Sequence, residues 1–218
     1  MALPVHRLFT RVGRSFLVEH RGVLTLVDTG TQKDPPRILR VLDQLGRRPE
    51  DVKQILVTHS HGDHAGGAKA MRELCEAPVF AGAADVDSIA GRKPYVMAPA
   101  AWGRVLYSNR LKDYPRFEVD HSVDGRTEVE SGLEMIPVPG HTPGHMAVWA
   151  PDLQALFVGD SAWNLSGLRP SWKAFTWDWE LNRESLRALT DLPSESLWFG
   201  HGLTIRRDGR SRLRSLAE

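Results

Sequence analysis

The segment "ILVTHSHGDHAGGA", residues 55–68, sets His59, His61, Asp63 and His64 within six positions. Further polar residues stand in comparable surroundings: His141 in "PVPGHTPGH", Asp160 in "FVGDS" and His201 in "FGHG". Imidazole nitrogens suit zinc, iron and other first-row ions, while carboxylates are harder oxygen ligands that can also bridge. Alternation at 59, 61 and 63 sends those side chains to one side if strand geometry persists. His64 then faces a different point, which a helix start after it can arrange. That spacing suits two neighbouring metals better than one. A lone histidine is more often a surface residue, and Ser60 or Asp63 could equally cap the following helix. The cluster together with two Gly-His turns and a strand-end aspartate outweighs that alternative. Glycines at 62, 66, 67, 140, 144 and 200 allow tight backbone turns close to the ions. His145 is spaced from His141 to orient ligands or to serve as a satisfied structural histidine. His6, His20 and His121 have no such context and read as exposed or structural.

These residues need elements that end at one place. "FLVEHRGVLTLVDTG" (16–30) reads as two strands around a turn at Arg21-Gly22, the second running into Asp28. "PPRILRVLDQLG" (35–46) is helical, with a proline start, a glycine stop and Ile38, Leu39, Leu42 and Leu45 on one face. "VKQILVTH" (52–59) is a buried-type strand that delivers the opening motif. "AGGAKAMRELCEA" (65–77) follows as a helix with Ala68, Met71, Leu74 and Cys75 inward, which makes Cys75 a core residue. Strand-like segments "TEVE", "LEMIPVPG", "HMAVWA" and "ALFVGD" come later, then a helix over 182–192, then "SLWFGHG" ending at His201. Each half therefore reads strand–Asp, helix, strand–His. Ligand sites in open α/β sheets lie at such C-terminal strand ends. Residues 92–121 lack clean periodicity and carry three prolines and three tyrosines, which suggests a lid or pocket wall. With no low-complexity segment or linker, a single domain over 1–218 is expected.

Composition removes several function classes. At 41% hydrophobic and 25% charged, the 218-residue chain has the balance of a globular protein large enough for a core. A formal net charge of +1 recruits neither nucleic acid nor an anionic membrane. The single cysteine excludes an internal disulfide and fits a reducing compartment. No apolar run long enough for a membrane span and no signal-type start occur, so a cytoplasmic protein with a small-molecule partner is expected.

"THSHGDH" with "PGHTPGH", "FVGDS" and "GHG", preceded by "LVDTG", resembles the metallo-β-lactamase-fold hydrolase superfamily, and within it the glyoxalase II and lactonase-like branch. The resemblance spans roughly residues 16 to 202. It implies an α/β (α+β) fold, a four-layer αββα sandwich of two mixed sheets with the site along one edge. By family pattern His59, His61 and His141 would hold one metal, Asp63, His64 and His201 a second, and Asp160 would bridge them. Asp28 matches a position that is mainly structural in the family.

Two divalent ions, zinc with manganese or iron as alternatives, would lower the pKa of a shared water from about 16 toward about 7. Hydroxide is then available for attack on an electrophilic carbonyl, and Asp63 can orient it and pass a proton to the leaving group. The expected reaction is hydrolysis of a small ester, lactone or thioester. Glyoxalase II-type enzymes would carry a basic C-terminal helical extension; only 17 residues follow His201, which disfavours glutathione thioesters. A mononuclear iron persulfide dioxygenase and a phosphodiesterase are the alternatives, the first opposed by a complete second ligand set, the second by the neutral charge balance. Candidate substrate contacts are Tyr95, Tyr107, Tyr114 and Trp163. The tryptophan-rich segment 163–179 could line an apolar pocket or form a homodimer contact, and the arginine-rich 205–214 reads as a solvated end.

Overall fold

The structure, a computed structural model, describes residues 4–94 and 113–217. Two strands, β2 (Arg14–His20) and β3 (Val23–Val27), pair antiparallel around Arg21 and Gly22, whose φ angles of 51° and 78° make the tight turn that suits strand twist. β1 (Val5–Phe9) extends this hairpin on one side. On the other side β4 (Val52–Val57), β5 (Val79–Gly82) and β6 (His121–Val123) add in parallel, giving a mixed sheet in the order β1-β2-β3-β4-β5-β6. Parallel neighbours require crossovers, supplied by α1 (Pro35–Gln44) between β3 and β4 and α2 (Ala68–Cys75) between β4 and β5. α3 (Ala83–Ala90) follows β5 directly.

The second sheet runs β13-β10-β9-β8-β7, built from β7 (Thr127–Glu128), β8 (Glu134–Pro137), β9 (Met146–Ala150), β10 (Ala155–Gly159) and β13 (Ser196–Phe199). A separate hairpin, β11 (Ala162–Asn164) with β12 (Leu168–Pro170), leaves β10. α4 (Trp179–Leu189) carries the chain from this hairpin toward β13, and α5 (Gly209–Ala217) closes it. β10 and β13 are parallel, as are β3 and β4, so the strand–Asp, helix, strand–His order of each half has the same spatial form.

Strand alternation divides the core into layers. Phe16, Val18, Val27 and Leu56 of the first sheet meet Met135, Met146, Val148 and Phe157 of the second between the sheets. Leu17, Leu26, Ile55 and Val57 point the other way, onto Ile38, Leu42, Met71 and Ile89 of the first helical layer. Trp149, Leu156, Val158 and Phe199 likewise meet Leu186, Leu189 and Leu213 of the second. The fold is the four-layer αββα sandwich that the resemblance implies.

Two local expectations need correction. Leu74 is exposed: the buried stripe of α2 is Ala68, Met71 and Cys75, and at about 100° per residue Leu74 lies roughly a quarter-turn off it. The helix expected over 182–192 starts at Trp179, because the Asp178 side chain caps it by accepting from Leu181 N at 3.0 Å. His20 takes the structural role, buried with its Nδ1 2.6 Å from Ser131 O. Most of the expected lid falls at 95–112, outside the described residues, and Tyr95 and Tyr107 fall with it. Among the described residues no helix is long and apolar enough to cross a membrane.

Candidate metal centre

Five chain segments arrive at one rim of the sandwich. Asp28 follows β3, the His59–His64 turn follows β4, His141 lies between β8 and β9, Asp160 follows β10, and His201 follows β13. The turn after β4 closes on itself, with His64 N and Ala65 N both donating to His61 O at 2.9 and 2.8 Å. That reversal brings His64 in from the far side of the turn, so that its ring lies 4.2 Å from the His59 ring and also reaches the Asp63 and His201 side of the cluster. All seven candidate ligands are buried except His201, which is partly exposed.

The rings converge in two sets. His59, His61 and His141 offer nitrogens within 4.8 Å of one another, and His141 Nε2 stands 3.0 Å from His61 Nδ1. Asp63, His64 and His201 form another such group, with His201 Nε2 3.3 Å from Asp63 Oδ2. Asp160 stands between the sets: its Oδ2 is 3.2 Å from His201 Nε2 and 3.7 Å from His141 Nε2, and its Oδ1 is 3.4 Å from His64 Nε2. His59 also groups with His64 and Asp160.

Electrostatics separates the two sets. Burial, followed by the neighbouring histidines, holds His59 well below the usual imidazole range. Burial and His61 likewise hold His141 well below that range, against the pull of Asp160. Burial lowers His61 too, although Asp63 and Asp160 oppose it. These rings are neutral and carry lone pairs. On the other side burial works against charge in every group and is outweighed. Asp160, Asp28 and Asp63 raise His64 to about 9, and Asp160 and Asp63 raise His201 well above its usual value. Asp63, beside His64 and His201, and Asp160, beside His201 and His64, are held well below the ordinary carboxylate range. Two buried carboxylates thus demand positive charge at this point, and histidinium supplies it when nothing else does.

The donor set fits metal ions. His59 Nε2, His64 Nε2 and Asp160 Oδ1 are buried and have no hydrogen-bond partner, a condition that costs about 1–3 kcal/mol per group unless something else satisfies it. Their opposite faces are all engaged. Asp28 Oδ2 accepts from His64 Nδ1 at 2.7 Å and from Thr58 Oγ1 at 2.9 Å, while Thr58 Oγ1 lies 3.0 Å from His59 Nδ1. His141 Nδ1 is 3.0 Å from Ser171 Oγ. Partners of this kind fix tautomer and ring orientation in metal sites. His145 is turned away from the cluster centre: its Nε2 accepts from Asp160 N at 3.0 Å and its Nδ1 faces Ser161 Oγ at 3.3 Å. Burial lowers its pKa to about 3, so the ring is neutral and steadies the Asp160 turn. Gly200 completes the cradle, since a Cβ there would fall on Asp160 Oδ1 and His64 Cε1.

One wall is aromatic. The Trp163 ring lies 5.2 Å from the His201 ring, with Trp172 at 5.4 Å and Phe175 at 5.9 Å on its other sides. Trp172 is about half exposed. Tyr114, by contrast, is buried and donates its hydroxyl to Ser60 O at 2.7 Å, a packing role. Asp85 and Ser171 escaped the sequence reading because neither stands beside a candidate ligand, and Thr58, although next to His59, because a hydroxyl is not a ligand type that marks such a site. The only available signal was for Asp85, in "VFAGAAD", a further strand end followed closely by an aspartate.

Comparison with known proteins points to the same superfamily as the sequence motifs. The sequence profile of the Metallo-beta-lactamase superfamily matches residues 9–201. The chain is 25% identical to the protein named "Probable metallo-hydrolase YflN" of Bacillus subtilis, over 99% of this chain and 90% of that protein. It is 32% identical to a hydroxyacylglutathione hydrolase of Cereibacter sphaeroides over 75% of this chain, but the match spans only 53% of that protein, about half its length. A metallo-beta-lactamase family protein from Thermus thermophilus, known from its crystal structure, superposes with a TM-score of 0.73 at 27% identity, covering 98% of this chain and 78% of that one.

Proposed function

The chain belongs to the metallo-beta-lactamase superfamily, and from that premise we propose that it is a metal-dependent hydrolase of a small ester, lactone or thioester. The observation that carries this reading is the convergence of two ligand sets on Asp160, with buried nitrogen and oxygen atoms left without hydrogen bonds where ions would sit. His59, His61 and His141 would hold one ion, Asp63, His64 and His201 the other, and Asp160 would reach both. A pair of divalent ions bound there would supply Lewis acidity and a lowered pKa for water.

The chain's own residues do the rest. Asp63, whose Oδ2 stands 3.3 Å from His201 Nε2, would accept a hydrogen bond from the attacking water and carry its proton to the leaving group. Asp28, through His64 directly and through Thr58 to His59, keeps both imidazoles turned toward the ions. Trp163 and Trp172 offer an apolar face to the acyl part of the substrate and keep water away from it. The hydroxyacylglutathione hydrolase relatives support a thioester among the candidates. A complete second set favours two ions over the single iron of a persulfide dioxygenase.

Elemental mass spectrometry on protein purified without added metal tests the reading. About two ions per chain, with ester, lactone or thioester hydrolysis that chelator abolishes and metal restores, is the expected result. One iron per chain with oxygen uptake on a persulfide, or cleavage of phosphodiesters alone, would replace it.

A further inference from the structure

Asp85, in the first turn of α3, lies outside both histidine motifs, yet its carboxylate joins them. Its Oδ2 accepts from Ser60 N at 2.8 Å and from Thr142 Oγ1 at 2.7 Å, and its Oδ1 accepts from Gly144 N at 2.9 Å. Ser60 sits between His59 and His61, and Thr142 follows His141. Asp85 is fully buried, so water cannot substitute for these acceptors. The approach is also sterically tight. A Cβ on Gly82 would fall on Gly144 O, and a Cβ on Gly144 would fall on Asp85 N. The Ser60 carbonyl is held as well, accepting from the Tyr114 hydroxyl at 2.7 Å.

The two turns belong to different sheets, one continuing β4 and the other linking β8 to β9. Their strands are already tied deeper in the sandwich, where Met146 N donates to Thr58 O at 2.8 Å. What that bond leaves loose is the turns beyond the strand ends, where the three imidazoles project. We propose that Asp85 is a positioning residue that fixes the spacing of His59 and His61 against His141, and with it the affinity of that set for its ion. This inference rests on the metal-site reading above, and the closing experiment separates the two.

Asp85→Asn is the informative change. An amide presents one oxygen and one NH2 group, so in either orientation a donor faces a backbone N–H, at Ser60 or at Gly144. The Thr142 hydroxyl can rotate to adapt; the two backbone donors cannot. Zinc(II) affinity is measured by competition with a chromophoric chelator, and the visible spectrum is recorded with cobalt(II). Zinc binding at one of two sites is expected to weaken by about 10- to 100-fold. The cobalt bands should shift, while the far-UV circular dichroism of the metal-free protein stays unchanged. Thr142→Val, which removes one of the three donors, should weaken the same site by several-fold.

Native zinc affinity and cobalt spectrum in Asp85→Asn would overturn the proposal, even with a lowered Tm, because a merely structural carboxylate would give that pattern. Should Asp85→Asn not fold, unchanged zinc affinity in Thr142→Val would overturn it equally. Failure of the wild-type protein to bind either metal would take down the metal-site reading and this inference with it.

Discussion

Asp28 and His64 are joined by a 2.7 Å bond between Oδ2 and Nδ1, with both side chains shut off from solvent. Asp28 holds this place at a φ of 56°, a left-handed conformation that Asp and Asn tolerate better than other residues with a side chain. It also accepts from Thr58 N at 2.8 Å, so one carboxylate sets a strand end and two imidazoles. Asp28→Asn keeps the backbone geometry but turns one acceptor into a donor, against Thr58 N or against His64. The expected outcome is a loss of about 10- to 100-fold in metal affinity with the fold retained, read by chelator competition. Wild-type affinity in this variant would mean that His64 needs no orienting partner.

His201 is the most exposed of the seven candidate ligands, and its ring faces the Asp63 and Asp160 carboxylates and the His64 and Trp163 rings. His201→Ala should therefore lower the metal content from about two ions toward one per chain without unfolding the protein, as counted by elemental mass spectrometry. Asp63→Ala should cost about 10²- to 10⁴-fold in kcat, the usual contribution of a positioned acid–base group. Full activity in Asp63→Ala would remove it from the mechanism.

Metal-free protein should respond to pH through His64. Its folded pKa, about 9, lies above the ordinary 6.5, so the charged ring stabilises the fold fully below about 6.5. That contribution is lost as the pH rises through about 9. Thermal melts of the metal-free protein should accordingly fall between about pH 7 and about pH 9, while zinc-loaded protein stays level, because the ion has already displaced the proton. The same displacement should release protons when zinc is added near neutral pH, measurable by calorimetry in buffers of different ionisation enthalpy. Parallel melting curves for the two forms would contradict this.

Much of the site was legible in the sequence because ligand chemistry leaves dense local marks. His59, His61, Asp63 and His64 stand together, and His141, Asp160 and His201 each carry a neighbouring glycine. The helices around α1 and the turn at Arg21-Gly22 were legible for a similar reason, since apolar periodicity and turn residues act over a few positions. Asp85 was not, because its three partners lie 25, 57 and 59 positions away and nothing beside it repeats. Leu74 misled because one apolar residue can fit a helical stripe in type while missing it in angle. Long-range pairing and exact helix phase are tertiary facts, and local pattern constrains them weakly.

Cys75 tests the core assignment of α2. It is buried against the first sheet, and burial pushes its thiol up to about 12. Only the thiolate reacts at a useful rate, so native protein should resist Ellman's reagent at pH 8 and label fully once denatured. Cys75→Ser should leave hydrolytic activity largely intact. Rapid labelling of the native protein would show that α2 opens or that its inward face is misassigned.

The aromatic wall makes a prediction about substrate choice. Trp163 is in contact with the His201 ring on one side and with Trp172 and Phe175 on others, so a substrate acyl group entering beside His201 meets π-faces before it meets polar atoms. Each methylene of complementary apolar contact is worth about 1–3 kcal/mol of discrimination at most. Trp172, being half exposed, can be truncated without opening a core cavity. Trp172→Ala should then lower kcat/KM for long-chain or aryl esters by about 10-fold or more while changing acetyl esters little, with the metal content unchanged. A uniform loss across acyl lengths would place the substrate's apolar part elsewhere on the rim, and a loss of metal would mean that Trp172 supports the His201 turn instead of the substrate.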